Sequence, residues 1–164
     1  MNQILSIGLF LIMNFSLFSQ VNNQSILIET LLKNQIGKTI TYGKWTQFGG
    51  TETQLTFLGV INENGIEYKI LNSSWIWGIS KRATNRIMLF SNKNEYLGHY
   101  YITAKCDLPK RIKNNKLIFE PDKCDDCNHK QTIIDFKKGI PKQLFITCRG
   151  SYGSMYIFNT KKIE

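Results

Sequence analysis

The sequence predicts a mainly β fold, an antiparallel meander of about eight to ten strands that forms a small barrel or a sandwich, with one short N-terminal helix. From Lys38 onward, the residues form short runs that are rich in β-branched and aromatic side chains and alternate with period two, which is typical of strands. The connectors between the runs are rich in Gly, Asn, Ser and Lys. With 42% hydrophobic residues and only 3 prolines, the composition indicates a folded domain and not a disordered chain.

The segment SILIETLLKNQIG predicts the helix. Its apolar residues Ile26, Leu27 and Leu31 recur near helical spacing. Ser25 has the side chain of an N-cap, and Gly37 is suited to the left-handed conformation that ends a helix. We therefore expect a helix that begins after Ser25 and ends before Gly37.

The strands are expected at the remaining apolar runs, which are TITYGKWTQF, TQLTFLGVI, IEYKIL, WIWGIS, RIMLF, YLGHYYIT, KLIF, TIIDF, PKQLFITC and SMYIFN. Asn64-Gly65 is the strongest turn signal, because both residues readily take the positive φ of a tight hairpin. Asn114-Asn115 predicts a second turn. Pro109 and Pro141 each stand in a similar apolar-Pro-Lys segment, and we expect both to mark the start of a strand.

Residues 1–19 predict a secretory signal peptide. An uncharged apolar run extends from Ile4 to Phe18, and Ser19 supplies a small residue before a cleavage point at Gln20. A retained membrane anchor is the alternative, although the run is shorter than the ~20 residues that span a bilayer. We expect residues 20–164 to form a single mostly-β domain that is exported to the periplasm or the extracellular space, with no transmembrane span after cleavage.

The chain is strongly basic, with 21 Lys and Arg against 12 Asp and Glu and a formal net charge of +9. An exported basic protein is suited to contact polyanions or acidic glycans. The alternative is that these side chains only form a solvated surface. The densest basic run, around Lys110, Arg111 and Lys113, surrounds a predicted turn.

Four cysteines, Cys106, Cys124, Cys127 and Cys148, predict two disulfides in an oxidising compartment. Three pairings are possible, and the most local one joins Cys124 to Cys127 and Cys106 to Cys148. A structural zinc site built on Cys124, Cys127 and His129 is the alternative, because two thiols three positions apart and a nearby imidazole can ligate zinc. We otherwise expect no metal and no cofactor.

We expect a non-catalytic role and no catalytic residues. His99 lies in a strand-like run, where a packed sheet residue is the more common outcome. The segment Gly150-Ser151-Tyr152-Gly153-Ser154 lacks the spacing of a nucleophile elbow. The carboxylates lie mostly in predicted turns, and the sequence does not indicate that two of them face each other across a cleft.

Trp75-Ile76-Trp77 places two indoles on one face of a predicted strand. Such a pair can form a platform for sugars or apolar ligands, and core packing is the alternative. The leading hypothesis is a binding or interaction module whose ligand is a polyanion, a glycan or a partner protein. Its predicted binding residues are Trp75, Trp77, Arg82, Lys110, Arg111 and Lys113.

Gly43-Lys44-Trp45 follows the predicted helix and resembles the Gly-x-Trp motif on the first strand of lipocalins. The resemblance implies a β-barrel in which Trp45 closes one end and the interior holds a small apolar ligand. A lipocalin-like barrel is therefore the second functional hypothesis. An inhibitor or immunity-type protein fits the same composition.

Overall fold

The computed structural model describes residues 14–120, 123–124, 127–128, 131–148 and 152–161, and only the backbone at 14–23, 123–124 and 127–128. One α-helix, α1, spans Asn14–Lys33, and a 3₁₀ turn spans Lys105–Asp107. The strands are β1 (Thr39–Gly43), β2 (Glu52–Glu63), β3 (Ile66–Trp77), β4 (Arg82–Phe90), β5 (Tyr96–Ile102), β6 (Arg111–Lys113), β7 (Lys116–Phe119), β8 (Lys123–Cys124), β9 (Cys127–Asn128), β10 (Thr132–Asp135), β11 (Gln143–Thr147) and β12 (Gly153–Asn159).

The strands form a seven-stranded antiparallel sheet and two smaller sheets. The large sheet has the order β1-β2-β3-β4-β5-β12-β11, a second sheet has the order β10-β7-β6, and β8 pairs with β9. Within the described residues β1 and β11 stand at opposite edges of the large sheet, so this sheet is open. The three-stranded sheet packs against one of its faces, and the prediction of a β-rich meander with one short helix is confirmed.

Each face of the large sheet carries its own hydrophobic cluster. The inner face, which packs on the three-stranded sheet, contributes side chains such as Ile70, Ile87 and Tyr100 to a core shared with Leu117 and Phe119. The opposite face, here called the helix face, packs under α1. Its cluster consists of Leu31 from the helix together with Leu55, Phe57, Leu71, Met88 and Phe90 from the sheet. Alternation along each strand therefore decides which layer a side chain joins.

Asparagine supplies the tight turns, as predicted. Asn64 and Gly65 connect β2 to β3 with φ of 55° and 78°. Asn114 and Asn115 connect β6 to β7 with φ of 52° and 56°. Positive φ at both central residues is the turn geometry that matches the twist of the paired strands.

The predicted helix boundaries are wrong at both ends. The helix begins at Asn14, so Ser25 lies inside it and is not an N-cap. It ends at Lys33, because Asn34 takes the left-handed conformation with φ of 49°, three residues before Gly37. The Gly37 N–H instead donates to the Phe57 carbonyl at 2.8 Å, which fixes the connector to β2.

The runs IEYKIL and WIWGIS belong to a single strand and not to the two that the sequence predicts. The polar residues between them lie at the buried centre of β3, where two of them donate side-chain hydrogen bonds. Asn72 Nδ2 donates to the Pro109 carbonyl at 2.8 Å, and Ser74 Oγ donates to Asn85 Oδ1 at 2.8 Å. Because these hydrogen bonds offset the cost of burying polar groups, the strand continues.

Pro109 and Pro141 stand just before β6 and β11, as the sequence predicts for both. Each proline carbonyl accepts a hydrogen bond from a side chain of the large sheet, Asn72 in one case and Tyr100 in the other. Neither proline lies within a strand, so no sheet hydrogen bond is lost.

Residues 1–13 of the predicted signal peptide lie outside the described residues, and the predicted cleavage point before Gln20 falls within the span of α1. None of the helices in the described part of the chain combines the length and the apolar character that a membrane crossing requires.

Candidate ligand-binding face

Helix α1 covers only part of the helix face. It packs over the end of β2 to β4 that carries Phe57, Leu71 and Phe90. The rest of this face, beyond the helix, carries large apolar side chains that are exposed to solvent. They are Trp75 on β3, Tyr101 on β5, Phe145 on β11, and Met155 and Ile157 on β12. Exposed apolar groups that cluster in this way mark a candidate binding surface.

Trp75 and Trp77 lie at the β3 side of this surface. Their ring centroids are 5.6 Å apart and their planes are inclined by 25°, which is a stacked arrangement. The Trp77 indole N–H donates to Thr84 Oγ1 at 3.2 Å, and the Arg82 guanidinium lies 5.7 Å from the Trp77 ring centroid. Trp75 is 38% exposed, so the pair presents a ring to solvent and is not part of the core.

A third tryptophan flanks the pair at the end of the β3–β4 hairpin. The Trp45 indole N–H donates to the Gly78 carbonyl at 2.8 Å, and Lys81 Nζ lies 5.1 Å from the Trp45 ring centroid. Both contacts hold an aromatic ring against the turn with a cation beside it. We call the five residues Trp45, Trp75, Trp77, Lys81 and Arg82 the tryptophan patch.

Arg86 lies next to the tryptophan patch on the same face. It pairs across strands with Ser73 on β3 and with Tyr101 on β5. Its Nε is buried and has no hydrogen-bond partner among the described residues. Burial lowers the pKa of the Arg86 guanidinium, and the nearby hydroxyls of Tyr96 and Tyr101 act in the opposite direction.

His99 is a packed residue of β5 with an exposed fraction of 8%. Its Nδ1 shares a hydrogen bond with the Tyr96 hydroxyl. Burial lowers the pKa of His99, and the charge of Arg86 lowers it further. Burial raises the pKa of Tyr96 to about 12. Both groups are therefore neutral at neutral pH.

The other predicted binding residues lie in a different layer. Arg111 and Lys113 are in β6 and Lys110 directly precedes it, in the small sheet that packs on the inner face. Arg111 forms an ion pair with Glu120. Arg111 and Lys113 line a groove of about 280 Å³ on the small sheet. The structure thus brings Trp75, Trp77 and Arg82 together and separates them from Lys110, Arg111 and Lys113.

Cys106 and Cys148 are disulfide-bonded, and no described cysteine is a free thiol. The side chains of Cys124 and Cys127, and all of His129, lie outside the described residues, so the pairing and the zinc alternative stay predictions. Within the part of the chain that the structure describes, no three His, Cys, Asp or Glu side chains are grouped as metal ligands.

Sequence reasoning did not select Arg86, although a signal was present. In the β4 sequence RATNRIMLF, Arg82, Thr84 and Arg86 alternate on one face, and the next two residues of that face are Met88 and Phe90. Arg86 therefore stands where a polar row becomes apolar. That pattern identifies an arginine close to the core, but only the strand order shows that Tyr101 lies beside it.

No family model, curated protein sequence or solved structure matches the chain. The function therefore has to be inferred from the geometry of this face.

Proposed function

We propose that the protein is an exported, non-catalytic binding module and that the tryptophan patch binds an acidic polysaccharide. The observation that carries this proposal is the stacked Trp75–Trp77 pair, partly exposed on the part of the helix face beyond α1 and flanked by Lys81 and Arg82. Rings that are already held in place lose little entropy when a ligand packs on them.

The chemistry of the patch fits such a ligand. The C–H groups on one side of a sugar ring form an apolar surface, which packs on the flat face of an indole. Carboxylate groups on the same polymer attract the cations at the rim of the patch. Among the described residues no carboxylate forms an ion pair with Lys81 or Arg82, so both charges are available to the ligand.

The basic residues of the small sheet are the weaker candidate. Arg111 is already paired with Glu120, and the side chains around it in the groove are Lys113, Asn114, Lys116, Ile118, Gln131 and Ile133. This groove offers charge without an aromatic ring. It is suited to non-specific contact with anions but not to stacking of a sugar.

The lipocalin-like alternative places Trp45 at the closed end of a barrel. In the structure Trp45 packs at the β3–β4 turn beside Lys81, and β1 and β11 form separate edges of the described sheet. These two features favour a ligand on the outer surface over a ligand inside the sheet.

Export and the predicted disulfides are part of the proposal. Removal of residues 1–19 would leave Gln20 as the first residue, and four paired cysteines suit an oxidising compartment. Intact mass spectrometry of protein recovered from an exporting host tests both points. We expect the mass of a chain that begins near Gln20 and a gain of about four hydrogens on reduction, as two disulfides require. A full-length mass or a bound zinc ion would contradict this.

Isothermal titration calorimetry with polygalacturonate tests the ligand. We expect binding by the wild-type protein and a loss of about tenfold or more in Trp75→Ala, by analogy with the ~1–3 kcal/mol of ring stacking on aromatic side chains. Phe48→Ala is the aromatic control, because Phe48 is 91% exposed and lies outside the patch. It should bind like the wild type.

A second pair of variants tests which cations contribute to polysaccharide binding. Arg82→Gln and Lys113→Gln each remove one exposed cation, one inside the patch and one on the small sheet. We expect Arg82→Gln to weaken binding and Lys113→Gln to leave it nearly unchanged. The reverse order, or no binding by the wild-type protein, would overturn the proposed function.

A further inference from the structure

We infer that Arg86 binds one carboxylate of the polysaccharide and thereby sets a preference for acidic over neutral sugars. This inference rests on the proposed function, since it adds a second contact to the ligand that stacks on Trp75. It assigns to a half-buried arginine a direct hydrogen-bonded contact with a carboxylate, in addition to the attraction that the exposed cations Lys81 and Arg82 exert.

The position of Arg86 brings it within reach of a ligand on the patch. Ser73 lies directly opposite Arg86, and Trp75 is two residues further along β3 on the same face. Such diagonal neighbours have Cα atoms roughly 7–8 Å apart. Tyr101, which is 52% exposed, lies directly opposite Arg86 on the other side. By register, Arg86 thus lies between Trp75 and Tyr101, two side chains that are exposed to solvent.

The neighbours of Arg86 leave its charge without compensation. On the helix face its two cross-strand partners are Ser73 and Tyr101, and its neighbours along β4 are Thr84 and Met88. All four are uncharged. The buried Nε has no acceptor within the described part of the chain. A partly desolvated guanidinium without an anion is unfavourable, and a carboxylate that meets the accessible part of this half-buried side chain would supply the missing negative charge.

Two ionisable groups beside Arg86, the buried His99 and the half-buried Tyr96, do not supply that anion. His99 and Tyr96 are hydrogen-bonded to each other, and both are neutral at neutral pH. Because the guanidinium presents its N–H groups as a planar fork, it can hold both oxygens of a carboxylate. An ester or a hydroxyl at the same position would lack the charge that strengthens this contact.

The test compares two probes, polygalacturonate and its fully methyl-esterified, neutral form. Four proteins are titrated with each probe by calorimetry: wild type, Arg86→Met, Arg82→Met and Trp75→Ala. We expect the wild type to bind the acidic polymer more tightly than the ester. Arg86→Met should lose about tenfold to a hundredfold in affinity for the acid, as expected for hydrogen bonds to a charged group, and little for the ester.

Salt distinguishes the two arginines. Arg82 is exposed, so its contribution to the affinity for the acidic polymer should decrease as the salt concentration rises. The contribution of Arg86 is less screened because the side chain is partly buried, and the difference between wild type and Arg86→Met should persist at high salt. If Arg86→Met fails to fold, the salt dependence of the wild-type preference still tests the inference, because a preference for the acid that disappears at high salt would belong to the exposed cations and would overturn the role of Arg86.

The outcomes separate the two proposals. If Trp75→Ala weakens binding while the wild type binds acid and ester equally, the ligand site stands and the role of Arg86 is overturned. Equal affinity of Arg86→Met and wild type for the acid overturns it as well. If the wild type binds neither polymer, the proposed function itself fails.

Discussion

Two neighbouring leucines of α1 test whether the helix covers only one part of the sheet. Leu31 is 4% exposed and belongs to the cluster with Leu55, Phe57 and Leu71, whereas Leu32 is 68% exposed. Leu31→Ala removes buried methyl groups and leaves a cavity, for which core leucines typically cost 2–5 kcal/mol. We expect about 3 kcal/mol for Leu31→Ala and less than about 0.5 kcal/mol for Leu32→Ala.

The assay is urea and thermal unfolding followed by circular dichroism. In a chain of this size, each kcal/mol lost from the free energy of unfolding lowers the Tm by roughly 2–4 °C. Leu31→Ala should therefore lower the Tm by about 6–12 °C. Leu32→Ala is a matched control, because it makes the same change in helix propensity one position away. Equal effects of the two substitutions would refute the assigned packing of α1, and with it the boundary of the uncovered face.

Three further predictions concern β5. Because burial raises the pKa of Tyr96 from 10.0 to about 12, the folded state holds this proton more tightly than the unfolded chain. Stability should therefore hold below pH 10 and fall as the pH rises towards 12, and urea unfolding should show a smaller fall in Tyr96→Phe. The pKa of His99 is lowered below its ordinary 6.5, so the stability it contributes is complete above pH 6.5 and is lost at lower pH. An equally acid-sensitive His99→Gln protein would contradict this. Gly98→Ala should destabilise the fold by about 1 kcal/mol or more, because the added methyl group would clash with β12. Its Cβ would lie 2.5 Å from Phe158 Cζ and 2.6 Å from the backbone oxygen of Asn159. An unchanged Tm would contradict the packing of β12 on β5.

The sequence predicts the strands well because their signals are local. Period-two alternation and the Asn64-Gly65 and Asn114-Asn115 turns each depend on a few adjacent residues. The helix boundaries are harder to predict, since Asn34 competes with Gly37 for the left-handed position. The sequence also does not show that β3 is one continuous strand, because the buried Asn72 within it donates to the carbonyl of Pro109, which is distant in the sequence.

The same distinction between local signals and long-range contacts applies to the residues of the candidate site. Trp75, Trp77 and Arg82 can be grouped from the sequence because a single hairpin brings them together. The sequence does not show that Lys113 belongs to another layer, since that depends on which face the small sheet covers. The contact between Arg86 and Tyr101 likewise depends on the pairing of β4 with β5.

The most direct test of the proposed ligand face is a residue-resolved NMR titration of the wild-type protein with short oligogalacturonates. The chain has 3 tryptophans, so the indole N–H signals are few and can be assigned. We predict that the indole signals of Trp75 and Trp77 and the amides of β4 shift on titration, while the amides of β6 and β7 do not. Shifts confined to β6 and β7, or no shifts at all, would contradict a polysaccharide site on the tryptophan patch.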